Sequence, residues 1–275
     1  MKSKKILMIS KMMNIFGLVN LLLYFQKLKY KNKFIRAINY HGTPKRYQNN
    51  FEKQLVFFKQ NYAAVNLIDL ENLLNGEWKK EKPGLIISFD DGLKSNYETA
   101  MPLIEKYGFT GWFFIPVGLI GTGNCKPQDK TSTEDCSYMN WEDIIKLSSH
   151  HIIGCHTLTH CRFFNNTSEH KLKEEIISSK KLLEQKLNKR NDIFCWVGGE
   201  ENAYTTKAVK YIREAGYKYS FMTNNELISY NTDKFHLQRT NIEADYPLAL
   251  VKFYLSGFMD VIYTRKRHRV NKRTR

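Results

Sequence analysis

Short apolar runs alternate with helical patterns along almost the whole chain, and this alternation restricts the fold more than any other feature. Strand-like runs stand at residues 35–40, 63–68, 85–89, 110–115, 152–154, 194–197 and 218–222. Helical patterns lie between them, at 50–61, 94–107, 141–149, 168–188 and 205–216. Pro102 falls inside the second of these, so that helix is expected to break or to begin there. Strands joined by helical crossovers pair in parallel. With no repeat and no linker, the pattern predicts one domain with a barrel-like parallel sheet and sites at the carboxyl ends of its strands.

One of these runs ends in charge. Leu85-Ile86-Ile87-Ser88-Phe89 reads as a buried strand and leads directly into Asp90-Asp91-Gly92. Successive strand residues face opposite ways, so the two carboxylates can serve one site only if at least one already lies in the turn. Carboxylates this close repel unless a metal ion or an arginine sits beside them. The plainer reading is a strand followed by an ordinary Asp-Gly turn.

A positive partner appears further along. Ile152-Ile153-Gly154 reads as another short strand, and His156 and His160 follow it at i and i+4. Two such histidines can converge on one metal. With one carboxylate they form a three-ligand set that leaves a fourth position for water, the pattern of a catalytic rather than a structural zinc site.

Taken together, these two motifs resemble those of the polysaccharide deacetylases, carbohydrate esterase family 4, with its NodB-homology domain. Phe89-Asp90-Asp91-Gly92 matches the family's first motif and His156-Thr157-Leu158-Thr159-His160 its second. The similarity runs from about Ala37 to about Ile242 and takes in the segment from Gly108 to Pro116 and the helix carrying Glu175 to Lys180. The resemblance implies a distorted (β/α) barrel as a single domain at 35–245; the residue pattern adds an N-terminal membrane-proximal segment at 1–34 and a C-terminal apolar helix with a polybasic tail at 246–275. The resemblance also implies a metal held by Asp91, His156 and His160, with zinc expected and cobalt or nickel as alternatives, and Asp90 as the general base in removal of an N-acetyl group from a sugar. The third motif departs from the family: Phe194-Cys195-Trp196-Val197-Gly198-Gly199 has valine for the usual proline and glycine for the usual ring. A Gly198 N–H still suits an oxyanion donor. Arg239 either orients Asp90 or forms a structural salt bridge elsewhere, and His236 is the nearest candidate for the general acid. Glu200 and Glu201 either contact substrate or face water, and His41 either lines the site or packs in the core. A non-catalytic sugar-binding protein and a basic membrane-surface protein are the alternative readings.

Charge concentrates at the ends. The 275 residues carry a formal net charge of +16, much of it in residues 2–5, 27–33 and 265–275. This distribution speaks for tethering to an acidic membrane surface more than for the central site. No aromatic residues interleave the C-terminal basic run, so no specific nucleic-acid partner is expected. Residues 12–25 are apolar but shorter than the roughly 20 needed to span a bilayer. They suit an interfacial helix or one packed on the domain itself. No Ala-x-Ala-like cleavage site follows Phe25, and five cysteines leave one unpaired at least. Both features point to the cytoplasmic face, with export left open. Cys125 and Cys136 bracket a polar loop at 118–137, a natural substrate lid, and would pair in an exported chain; Cys155 and Cys161 are expected to be packing residues.

Overall fold

The computed structural model describes residues 2–123 and 137–275. The lid expected at 118–137 lies mostly outside the described residues, as do Cys125 and Cys136. The strands are β1 (Ile35–Tyr40), β2 (Ala63–Ala64), β3 (Gly84–Phe89), β4 (Gly111–Ile115), β5 (Ile152–Cys155), β6 (Ile193–Cys195), β7 (Tyr219–Met222), β8 (Leu237–Gln238) and β9 (Thr240–Asn241). They form one parallel sheet in the order β8-β7-β6-β5-β4-β3-β1-β9, with β2 added beside β3. The two ends of that order, β8 and β9, are separated in the chain by Arg239 alone. One short segment therefore pairs with β7 through Leu237 and Gln238 and with β1 through Thr240 and Asn241. The sheet closes on itself into a nearly complete barrel, as the alternation of elements predicts.

Every residue of β1, β3 and β4 is buried, as expected of parallel strands covered on both faces. Alternation divides them between two cores. Ile35, Ala37, Ile86, Trp112, Phe114 and Phe221 fill the barrel interior. Ile38, Ile87, Phe89, Phe113 and Ile115 point outward to the helices. Gly154 on β5 makes room for Phe114, since a Cβ there would lie 2.5 Å from its ring.

The helices are α1 (Lys2–Ile15), α2 (Leu18–Tyr30), α3 (Gln48–Asn61), α4 (Leu67–Leu74), α5 (Met101–Lys106), α6 (Trp141–Leu147), α7 (Glu169–Lys173), α8 (Ser179–Leu187), α9 (Thr206–Glu214), α10 (Leu248–Leu255) and α11 (Phe258–Arg273). Their apolar stripes pack on the outward side chains, for example Phe51, Leu55 and Phe58 of α3 and Leu183 of α8. Asn66 and Asn140 start α4 and α6 with reciprocal capping boxes. Pro102 stands in the first turn of α5, which begins at Met101, in line with the expected helix start. A π-helical turn at Asn96–Ala100 runs into α5, with Met101 N–H donating to Asn96 O, so the wider turn accommodates the missing proline N–H. A second π-turn, Glu174–Ser178, joins α7 to α8.

The terminal segments pack on the barrel and on each other. Asn14 Nδ2 donates to Ala249 O at 2.9 Å, and Val19 and Val270 are fully buried. The expected apolar helix after residue 246 is two helices, because Gly257 turns the chain at φ +86°. The basic tail is helical through Arg273 and docked. Arg267 is buried and donates to the carbonyls of Asn225 and Asp260, and Arg269 pairs with Glu201.

Candidate active site

A pocket of 320 Å³ opens at the carboxyl ends of the strands. It is lined by Asp90, Asp91, His156 and His160, by Asn39 and His41, and by Trp196, Gly198 and Gly199. Asp90 ends β3, its N–H donating to Tyr40 O at 2.8 Å. Asp91 already lies in the turn, in the left-handed region at φ +70°, followed by Gly92 at +66°. That turn brings two consecutive carboxylates to one site despite the alternation of the strand.

The histidine loop is bent in the same way. Thr157 and His160 both have positive φ, +66° and +59°, a strained choice for side chains with a Cβ. Neighbours hold the loop. Thr157 O and Leu158 O accept the N–H groups of Val117 and Gly118 at 3.1 and 2.7 Å. Glu175, fully buried and carried by the second π-turn, accepts from the N–H groups of Leu158 and Thr159 at 2.9 Å each and from Thr159 Oγ1 at 2.6 Å. Lys171 balances its charge at 2.9 Å.

Asp91 Oδ1 lies 3.0 Å from His160 Nε2 and 3.6 Å from His156 Nε2. The three ligand atoms of Asp91, His156 and His160 fall within 4.8 Å of one another. His156 Nδ1 meets Cys195 O at 3.0 Å, which leaves Nε2 with its lone pair toward Asp91. Burial pushes the His156 pKa down to about 4, so the ring is neutral at pH 7. Burial alone would raise Asp91, but the hydrogen bond and charge of His160, with the charge of His41, hold its carboxyl well below the usual range. Asp91 Oδ1 is buried between the His156 and His160 rings. A buried anionic oxygen facing two imidazole nitrogens fits a divalent cation. Asp90, His156 and Cys195 also lie close together, but there Arg239 already supplies the positive charge. Its Nη2 is 2.9 Å from Cys195 Sγ, and burial pushes that thiol well up.

Arg239 reaches Asp90 from the barrel seam. Nη1 meets Oδ1 at 2.6 Å and Nη2 meets Oδ2 at 2.8 Å, while Asn39 Nδ2 donates to Oδ2 at 3.2 Å. Gly198 lines the pocket at φ +80°, and a Cβ there would meet Glu200 Oε2 at 2.6 Å and Arg162 Nε at 2.9 Å. The glycine at this position thus makes room for the Arg162 and Glu200 side chains at the rim. Glu201 instead turns to Arg269.

His236 is not brought to this pocket. It precedes β8, and so sits at the opposite end of the strand from the site. Its Nδ1 meets Asp233 at 2.9 Å and its Nε2 meets Thr274 Oγ1 at 2.7 Å. The histidine that does face the site is His41. Burial would lower its pKa, but a 2.7 Å hydrogen bond to Glu243, with the charges of Glu243, Asp91 and Asp90, raises it to about 10. The sequence signal for it was its place at the end of β1. Neither Glu243 nor Glu175 carries a comparable signal. Cys155 is buried and Cys161 half-buried, and both are free thiols.

Residues 78–220, a little over half of the chain, match the family model described as polysaccharide deacetylase. A poly-beta-1,6-N-acetyl-D-glucosamine N-deacetylase of Staphylococcus aureus is 24% identical over 242 residues, covering 80% of this chain and 82% of that protein. Among solved structures, IcaB from Ammonifex degensii superposes with a TM-score of 0.66 at 20% identity, over 81% of this chain and 96% of that one. The Streptococcus pyogenes deacetylase PplD, in complex with acetate, gives 0.66 at 19% identity, over 79% and 96%. The chain belongs to the polysaccharide deacetylase family.

Proposed function

We propose that this protein is a metal-dependent N-deacetylase acting on an N-acetylated amino-sugar polymer of a bacterial surface, or on its lipid-linked precursor. The observation that carries the reading is the placing of Asp90 beside the convergent Asp91, His156 and His160 in one pocket. The staphylococcal relative, named for a β-1,6-linked N-acetylglucosamine polymer, makes that polymer the first substrate to try.

Asp91, His156 and His160 would hold the cation, zinc before cobalt or nickel. When bound, such an ion polarises a carbonyl and lowers the pKa of water. Asp90 takes the proton of the water that adds to the acetamide carbon. Arg239 and Asn39 fix the direction of its carboxylate. The N–H of Gly198, which lines the pocket, would serve the developing oxyanion. The carbon–nitrogen bond then breaks, acetate leaves, and the amine needs a proton. His41, kept protonated at neutral pH by Glu243, supplies it. This assignment replaces His236 in the acid role.

The test is acetate release from β-1,6-linked N-acetylglucosamine oligomers by zinc-loaded protein, beside Asp90→Asn and His41→Asn. Wild-type turnover, reduced by roughly 10²–10⁴ in each variant, is the expected result for lost acid–base groups. Bound zinc without turnover on any N-acetylated oligosaccharide would favour a sugar-binding role instead.

A further inference from the structure

The two N-terminal helices present an apolar surface that the fold does not use. Their inner side is docked: Ser10, Val19 and Leu23 are buried, and Asn14 is bonded to Ala249 at the start of α10. Their outer side is exposed and greasy. Ile15 is 79% exposed and Phe16 71%, and Leu21, Tyr24, Phe25 and Leu28 are each about half exposed. Exposed apolar groups in a contiguous patch mark an interaction surface. The patch continues onto α11. Gly257 abuts α2, since a Cβ there would lie 2.9 Å from Gln26 Nε2. Just beyond it, Phe258, Val261 and Ile262 are exposed, Val261 at 76%.

Charge identifies the partner. Residues 1–34 contain eight lysines and no acidic residue, and residues 261–275 contain seven lysines and arginines and no acidic residue. Lys4, Lys5, Lys11, Lys29 and Lys31 are exposed on or beside α1 and α2. An apolar face edged by cations suits the boundary between acyl chains and acidic headgroups. The geometry favours lying on a bilayer over crossing it. α1 and α2 have 14 and 13 residues, while a hydrocarbon core of about 30 Å needs roughly 20. Only the two together have the length and composition of a span, and they meet at an angle of 79°. We infer that the outer face of α1 and α2, extended by the first turns of α11, docks this protein on an anionic lipid bilayer.

Full-length protein would be sedimented with vesicles of phosphatidylcholine, alone or mixed with phosphatidylglycerol, beside the double variant Leu21→Glu/Phe25→Glu and Val261→Glu. These positions are exposed and remote from the pocket, so unchanged melting and unchanged acetate release on soluble oligomers would establish that the variants fold. Wild type is expected to sediment with the anionic vesicles, weakly with the neutral ones, and less as salt rises. The double variant is expected to lose at least tenfold in partition, and Val261→Glu to lose less. Equal sedimentation of wild type and double variant, or none by wild type, would overturn the inference. So would a wild-type dimer that the double variant abolishes, because a second copy would then cover the face. Recovery from cells of a protein lacking residues 1–33, or resistance of the full chain to alkaline extraction from membranes, would overturn it too.

Discussion

Arg239 grips Asp90 with both arms of its guanidinium, at 2.6 and 2.8 Å, with the arginine fully buried and the aspartate nearly so. The arginine sits at the one residue where the barrel closes between β8 and β9. Its backbone bonds to Met222 O and Asn225 N, and its guanidinium stacks 5.0 Å from the Phe114 ring. Closing the barrel and orienting the carboxylate are therefore one structural event. Breaking a buried pair by removing one partner costs about 3–5 kcal/mol. Arg239→Met is expected to lower the melting temperature by roughly 6–20 °C, at about 2–4 °C per kcal/mol for a domain of this size. Arg239→Lys keeps a charge but cannot fork, and is expected to fall between the two. A melting curve of Arg239→Met that overlays wild type would refute this view of the seam.

Metal binding can be read without turnover. A ligand that binds only the folded chain stabilises it by about 2.7 kcal/mol at a hundredfold excess over Kd. Zinc added to metal-free wild type is expected to raise the melting temperature by roughly 5–10 °C. Asp91→Ala and His156→Ala are each expected to abolish that rise. A similar rise in Asp91→Ala would mean that the cation sits elsewhere.

The parallel barrel was readable because its strands are buried on both faces and its helices carry one apolar stripe each. Asp90, Asp91, His156 and His160 were readable because both motifs are short and local. Arg239 lies far from Asp90 in the chain, yet it too stood out, as a charged residue beside a late strand. Glu243 and Glu175 did not, since Glu243 acts on His41 from the far end of the chain and Glu175 is one of several charged residues in an ordinary helical pattern. His236 misled because proximity to a strand is not direction along it: the site occupies carboxyl ends, and His236 is at an amino end. Pro102 was legible as a helix start, since a proline in the first turn has no intrahelical N–H bond to lose; the π-turn at Asn96–Ala100 that leads into it was not. The C-terminal arginines read as a polybasic segment for acidic lipid, and their docking on the fold was not legible because their partners are backbone carbonyls and Glu201, which composition cannot reveal.

Glu175 is predicted to set the shape of the histidine loop without touching the reacting groups. It satisfies two backbone N–H groups and one hydroxyl between His156 and His160. Leaving such groups unsatisfied costs about 1–3 kcal/mol. Glu175→Ala is expected to weaken zinc binding by roughly 10–100-fold in chelator competition, the range seen when groups that orient ligands are removed. Glu175→Asp, with a carboxylate but a shorter reach, should recover part of the affinity. Unchanged zinc affinity in Glu175→Ala would assign the residue to stability alone.

The pair His41 and Glu243 makes a prediction about pH whose sign follows from the direction of the shift. The folded pKa of His41 is raised from an ordinary 6.5 to about 10. Folding therefore gains from the proton on His41, in full below pH 6.5, and loses that gain as pH rises through about 10. Glu243→Gln removes the partner at 2.7 Å. The stability gap between wild type and Glu243→Gln, measured by denaturant unfolding of the metal-free proteins, should be widest near pH 6 and close as pH approaches 10. In the zinc-loaded enzyme the loss of activity on the basic side should move to lower pH in Glu243→Gln, because a proton donor with a lower pKa is spent earlier. The ring resonance of His41 in the metal-free wild type, followed by NMR, separates the two contributions. Titration near the ordinary histidine value, unmoved by Glu243→Gln, would show that Glu243 does not hold the proton and that the acid must be sought elsewhere.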